Sequence, residues 1–500
     1  MRRRSPCILL GWCGCALAAS GPLLTEGVNA LQRGDFALAE QKLRAELQAH
    51  PDDIEALSFL GATLDNENKP ADADVFHKRA LALAPRSNSI LDKYGSHLLV
   101  MQDASGARQA FLKSLAINPA DGYANLQLAQ MALNAKDGAE ALRYLSRLST
   151  EQAAQPEVAL RSLLALQLSG RKTEAGELAA KFRNDAAWSV SAGRALADAG
   201  ELSAAEVLLE NALTANPDSF PLLFSLGVVA SHTGHYTRSQ QTLEASLRQQ
   251  PGNTDVLYSL AYTYDANQQP GAALRLLSQA AQLAPGRVDL QKSLAIAAAN
   301  LGDYQTAAAA WEAYGQLVPS DDTARRERGF AKVHLGQFDT GLADLRWYAT
   351  RHPEDAEAWY ELGIAESSQD PTAGMSSLDK AVALRPDFAE ARSARGALYY
   401  REGKPESALP DLEFAASNQP GNALHQARLG QIYLALDRLN DALRHFRRAA
   451  ELAPGDYQAQ FHLANALAEA GQMAESDAIM AKIRNWPARG NAPTGNLLDH

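Results

Sequence analysis

Along most of the chain, apolar residues recur at spacings of three and four, as at Leu257, Leu260, Ala261 and Tyr264. That is the period of an amphipathic helix. The pattern itself repeats, because Pro217, Pro251, Pro285, Pro319 and Pro353 stand 34 residues apart. A fixed period of that size means stacked copies of one small unit. Each unit is numbered here from the third residue after its proline, so that one begins at Phe220 and another at Asp322. Position 8 is then Gly or Ala in most copies (Gly27, Gly61, Gly95, Gly227, Ala261, Gly363, Gly430), which predicts two helices in close approach. Position 20 is mostly Ala, and position 24 is usually large and apolar, as at Phe111, Leu209, Leu243, Trp311, Leu345 and Phe446.

The turns have their own signals. Glycine falls at position 15 in Gly34, Gly170, Gly200, Gly234, Gly302, Gly336, Gly403 and Gly471. Glycine reaches the left-handed conformation that closes a helix at little cost, so a first helix should stop there. Proline at position 32 lacks an N–H and disfavours helix in the residue before it, which ends a second helix. The Gly, Asp and Asn clusters after it, such as residues 51–53 and 251–253, suit the cap of the next helix. Two helices and a turn per unit satisfy every marker.

These markers resemble the tetratricopeptide repeat (TPR) family. The resemblance is plainest over Ala356 to Pro386, with Trp359, Leu362 and Gly363, and over Ala423 to Pro454, with Leu429, Gly430, Tyr433, Ala442, Phe446 and Ala449. It implies an all-α, right-handed α-solenoid, a superhelix of stacked helix-turn-helix units, over residues 21–486. Fourteen units are expected, starting near residues 20, 54, 88, 122, 156, 186, 220, 254, 288, 322, 356, 389, 423 and 457. Two are irregular. Pro156 to Asp185 is four residues short and carries Leu163 at position 8, and Ala356 to Phe388 is one short, with the deletion placed near Gly374 and Met375. Residues 150–186 are the least regular stretch, read as a change of pitch or a hinge.

Charge and cysteines narrow the setting. The formal net charge is −11 over 500 residues, which argues against a nucleic-acid partner. Arg2, Arg3 and Arg4 precede a mostly apolar run from Cys7 to Ala19 with small residues at its end, the pattern of a cleaved signal peptide at 1–20. The run is too short to span a bilayer unaided. All three cysteines lie in it, so the remaining chain has no thiol. The expected location is the bacterial periplasm. The alternatives are a lipoprotein anchored through Cys15, or the cytoplasm if the leader is not a signal. Residues 487–500, rich in Gly, Asn and Pro, read as a disordered tail.

Candidate chemistry is sparse. His232 and His235 flank a turn glycine and read as surface histidines, and His425, His445 and His462 belong to adjacent units without an evident ligand set. The acids after each proline are explained by helix capping and the helix dipole. No phosphate loop or nucleophile elbow occurs, so no catalytic, cofactor or metal residues are expected. Arg328 and Arg395 sit at position 7, where Leu260, Leu294 and Leu362 stand in other units. An unpaired buried guanidinium is costly. They are expected to pair with acids such as Glu327, Glu361 or Glu390, or to snorkel to the surface.

What remains is surface recognition. The resemblance implies a concave groove lined by the first helices at about positions 2, 5, 9, 12 and 13. Those positions offer Phe224, Tyr258, Tyr262, Arg326, Phe330, Tyr360 and Tyr400, with Lys292, Ile296 and Ile364 between them. Earlier units offer small or acidic groups there, including Ser58, Asp65 and Asp92. Aromatic and arginine side chains are the common anchors of interfaces. The reading is a non-catalytic scaffold that binds a protein or peptide partner, with no integral membrane span once the leader is gone. The alternative is an envelope module supporting polysaccharide secretion, glycosyl transfer or another assembly machine. The tyrosines have a second reading as packing between units that stiffens the array.

Overall fold

A computed structural model describes residues 21–484; the expected signal peptide and tail lie outside the described residues. Among the described residues there are twenty-nine α-helices and no strand. The chain divides after Gln249 into two compact halves. Each half contains seven antiparallel helical hairpins, and the first half adds a one-turn helix, Thr150–Ala153. The fold is an all-α solenoid of stacked hairpins.

The hairpin turns show why position 15 matters. All eight glycines there have positive φ, from 72° to 89°. The turn closes with Gly34 N–H bonded to Leu31 O at 3.0 Å and Asp35 N–H to Ala30 O at 2.9 Å, which satisfies carbonyls the helix end would otherwise orphan. Asn68, Gln102, Lys136, Gln268 and Asp437 occupy the same position with φ between 57° and 64°. Each non-glycine there costs about 1 kcal/mol. The hairpin therefore imposes the turn even where the residue resists it.

Packing inside a hairpin follows from positions 8 and 24, sixteen residues apart. A Cβ added to Gly27 would lie 2.8 Å from Leu43, on Gly95 2.7 Å from the Phe111 ring, and on Gly430 2.8 Å from Phe446. The missing side chain is the seat for the large one. In the short unit the two are exchanged: Leu163, 2 % exposed, stands where glycine is usual, and the residue sixteen on is Ala179 in the same apolar cluster. Its four missing residues come off the second helix, which ends at Lys181. The core continues through this stretch, and Trp188 donates its indole N–H to Pro156 O at 2.9 Å.

Two expectations need correction. The deletion in the unit from Ala356 lies in the turn, not near Gly374 and Met375. The first helix ends at Ser367, the second begins at Pro371, and Asp370 has φ −139° instead of a left-handed value. Gly374 then faces Gly363 O, and the shorter link draws the two helices together at glycines on both sides. The acids beside Arg328 and Arg395 are also not those expected. Arg328 pairs with Asp344 at 2.7 Å and with Glu312, and Arg395 with Asp411 at 2.7 Å and Asp379 at 2.9 Å. Each guanidinium reaches a carboxylate on its own second helix and one on the preceding second helix. Glu327, Glu361 and Glu390 lie on first helices, off that line of reach.

Candidate interaction surface

The first helices of the second half carry most of the expected groove. They run Thr254–Ala266, Val288–Asn300, Thr323–His334, Ala356–Ser367 and Ala389–Arg401. Position 9 is apolar in four successive hairpins: Tyr262, Ile296, Phe330 and Ile364. Tyr262 is 52 % exposed and Ile296 43 %, and Tyr400 three turns along its own helix is 40 % exposed. Phe330 and Ile364, between them, are half-buried, so the strip is apolar throughout but reaches well into solvent only at Tyr262, Ile296 and Tyr400.

The other expected anchors are partly engaged within the protein. Tyr258 is half-buried, and its hydroxyl accepts from Ser293 on the next first helix at 3.4 Å. Phe330 packs edge-on to Tyr304 at 6.4 Å and against His334 at 4.4 Å. Tyr360 lies 5.0 Å from the Phe388 ring. Arg326, with a side chain 17 % exposed, is held bidentately by Glu361 and sits 5.6 Å from the Tyr348 ring. Glu361 raises the pKa of that guanidinium, which stays charged. Phe224 belongs to the first half, where it stacks on Phe220 at 6.2 Å. Of the acidic and small groups expected to line the earlier units, Ser58 and Asp92 are buried, at 0 % and 5 % exposure, and Asp65 is partly so. Their small size lets neighbouring first helices close over them.

Phe330, Tyr360 and Glu361 converge on a recess of about 150 Å³, completed by Val333, His334 and Ile364. That volume admits a single benzene-sized ring. Burial, with Glu361 beside it, pushes Glu327 above the ordinary carboxylate range, and burial alone holds His334 below the usual imidazole value. The recess can therefore take an apolar side chain with the Arg326–Glu361 pair at its edge.

The histidines considered from sequence stay apart from this surface. His232 bonds Val228 O at 2.8 Å, and His235 sits 2.9 Å from Glu206. His425 meets Ser393 and Gln419, His445 meets Gln426, and His462 meets Gln431. Amide and hydroxyl partners take up these rings, so the three do not form a ligand set.

Stacked hairpins with a glycine-closed turn define an all-α helical-repeat protein. Three family models, each described as tetratricopeptide repeat, match residues 196–261, 326–387 and 426–456. In those three stretches the chain carries tetratricopeptide repeats. Among curated proteins it resembles the type IV pilus assembly protein PilF of Pseudomonas aeruginosa, 29 % identical over 136 residues, covering 27 % of this chain and 54 % of that one. The chain thus spans about half the length of this relative. Similar solved structures include a tetratricopeptide repeat protein from Parabacteroides merdae, 17 % identical, covering 50 % of this chain and 98 % of that one, with a TM-score of 0.42. Another is yeast Tom70, 14 % identical, covering 92 % and 96 %, with a TM-score of 0.36. Among the described residues no helix is long and apolar enough to cross a membrane.

Proposed function

We propose that the protein is a non-catalytic interaction scaffold that holds an extended protein segment along the first-helix face between Thr254 and Arg401. The observation that carries this is the solvent-exposed row of Tyr262, Ile296 and Tyr400 beside the recess at Phe330 and Tyr360. Tyr262 and Tyr400 are the anchors that meet the partner directly. Phe330 and Tyr360 shape the recess that takes one apolar side chain. Tyr258 and Arg326 fix the face, the latter through Glu361, and Phe224 offers the matching position in the first half. The leader pattern at residues 1–20 supports export to a bacterial envelope. A second reading, a component of an envelope assembly machine, is favoured by the stretch resembling a pilus assembly protein.

The test is site-specific photocrosslinking in the native envelope. A crosslinking residue at Tyr262 or Tyr400 is expected to trap one and the same partner. A residue at Leu283, 53 % exposed on a second helix, is expected to trap none. Trapping from Leu283 alone would move the site to the second helices and sink this reading.

A further inference from the structure

One buried cluster stands apart from that surface. Asp65 ends the helix Ile54–Asn66, His77 lies in its hairpin partner Pro70–Leu83, and His97 in the next first helix, Asn88–Val100. Asp65 Oδ2 is 3.0 Å from His77 Nε2, and Asp65 Oδ1 is 2.8 Å from His97 Nδ1. One donor atom from each of the three residues lies within 4.8 Å of the others. The side chains are nearly sealed, at 10 %, 2 % and 0 % exposure.

The placement is what singles the cluster out. His77 occupies position 24, filled by Phe111, Leu209 or Leu243 in other units, and its ring lies on Gly61 as Phe111 lies on Gly95. His97 occupies position 10, where Val229, Leu398 and Ile432 stand, and Asp65 position 12, where Leu99, Leu133 and Leu434 stand. His77 thus replaces an apolar residue with a metal-ligating one, and the three ligating side chains meet at one joint; positions 10 and 12 are polar in some other units too, as at Thr263 and Asp265. Buried polar groups are costly without compensation.

We propose that Asp65, His77 and His97 bind one divalent transition-metal ion of the Zn²⁺ class, clamping the hairpin 54–83 to the first helix of the next. Two imidazoles and a carboxylate suit such an ion and not the oxygen-seeking Mg²⁺ or Ca²⁺. The three side chains supply three ligands, and the fourth position of a tetrahedral ion is left to a water. Behind the ligands, His97 Nε2 has no hydrogen-bond partner and faces Asp74 Oδ1 at 3.4 Å, and Lys78 holds that carboxylate at 2.7 Å. Metal-bound histidines characteristically direct their other N–H to a carboxylate, which fixes the ring and its tautomer. Asp74 is placed for that positioning role.

The experiment uses the full chain without a histidine tag, stripped with chelator and titrated with Co²⁺ while the visible absorption of the ion is followed. Uptake of one Co²⁺ per chain, displaced by Zn²⁺, with Zn²⁺ raising the melting temperature, is the expected result. His77→Phe and His97→Leu install residues that other repeats carry at those positions, Phe111 and Leu398, so both are expected to fold and to lose the ion and the Zn²⁺ effect on melting. Asp74→Asn is expected to weaken Co²⁺ binding by about 10- to 100-fold. No uptake by the native protein, or uptake that survives both histidine substitutions, overturns the proposal and leaves a hydrogen-bonded polar cluster.

Discussion

Asp92 in the first half and Asp344 in the second are buried alike, at 5 % and 4 % exposure, yet their acidities are pushed in opposite directions. Burial raises Asp92 to about 7, and Asp121 nearby adds to the rise. One of its oxygens, Oδ1, has no hydrogen-bond partner, and the adjacent Lys93 places its ammonium over the Phe59 ring at 3.9 Å. Burial pushes Asp344 upward too, but it accepts from Arg325 and Arg328 at 2.7–2.8 Å and from Lys332 at 3.3 Å, and these hold it below the ordinary range. Equal burial therefore says little about a carboxylate. What decides is whether the fold brings a cation to it, and here a leucine-to-arginine exchange at position 7 does so.

The largest effect is expected from removing the acid and leaving the cations. Asp344→Ala leaves Arg328 with only Glu312 beside an apolar core, and the loss is expected near the low end of the about 3–5 kcal/mol that breaking a buried pair costs. Faster hydrogen exchange over Thr323–Arg351 and a lower urea midpoint would register it. Arg328→Leu combined with Asp344→Ala recreates the Leu294 and Ala310 of the preceding repeat and is expected to stay close to the native stability. A double variant as weak as the single one would show that the ion pair itself holds the joint.

Asp92 provides the opposite case. Between its ordinary value of 3.8 and about 7, the folded chain keeps a proton the unfolded chain has released, so native stability falls as pH rises through that window. At about 1.4 kcal/mol per tenfold change in protonation, the loss approaches roughly 4 kcal/mol by pH 8. Asp92→Asn should remove it, melting well above the native protein at pH 8 and close to it at pH 4. Equal gains at both values would refute the titration and leave only a packing effect.

A smaller contrast separates the two helices at position 8. Gly95→Ala meets the Phe111 ring at 2.7 Å, whereas Gly329→Ala meets nothing closer than 3.0 Å. Overpacking typically costs about 1–3 kcal/mol. Gly95→Ala is expected in that range and Gly329→Ala below it, as thermal melts of the two variants would show.

The sequence pattern carried the local rules and missed what depends on reach. Glycine turns, and the small residue at position 8 where two helices approach, were legible because each is a property of one residue type. Left-handed Asn68, Gln102, Lys136, Gln268 and Asp437 were not, since the packed hairpin forces that conformation on residues that disfavour it. The partners of Arg328 and Arg395 were misplaced because a long side chain crosses to second helices, sixteen residues away in either direction. Asp65, His77 and His97 are spread over three helices and meet only through stacking; their one signal was a histidine at position 24, apolar in other units. Spacing named the aromatic residues of the first helices but not their rotamers, so it did not separate exposed Tyr262 from packed Phe330.

That last distinction gives the smallest effect on stability. Tyr262 is 52 % and Tyr400 40 % exposed, so replacing each with Ala is expected to cost less stability than the same change at Phe330, on the order of 1 kcal/mol or below. Phe330 touches Tyr304 and His334 and lines the recess, so Phe330→Ala gives up contacts inside the protein as well. If the first-helix face is the docking surface, Tyr262→Ala with Tyr400→Ala lowers partner capture while helicity holds and melting falls little. Phe330→Ala lowers capture and melting together. Undiminished capture by the double tyrosine variant would show that an exposed aromatic row in this repeat array is no anchor, and would assign these rings the same stiffening part that Phe330 plays.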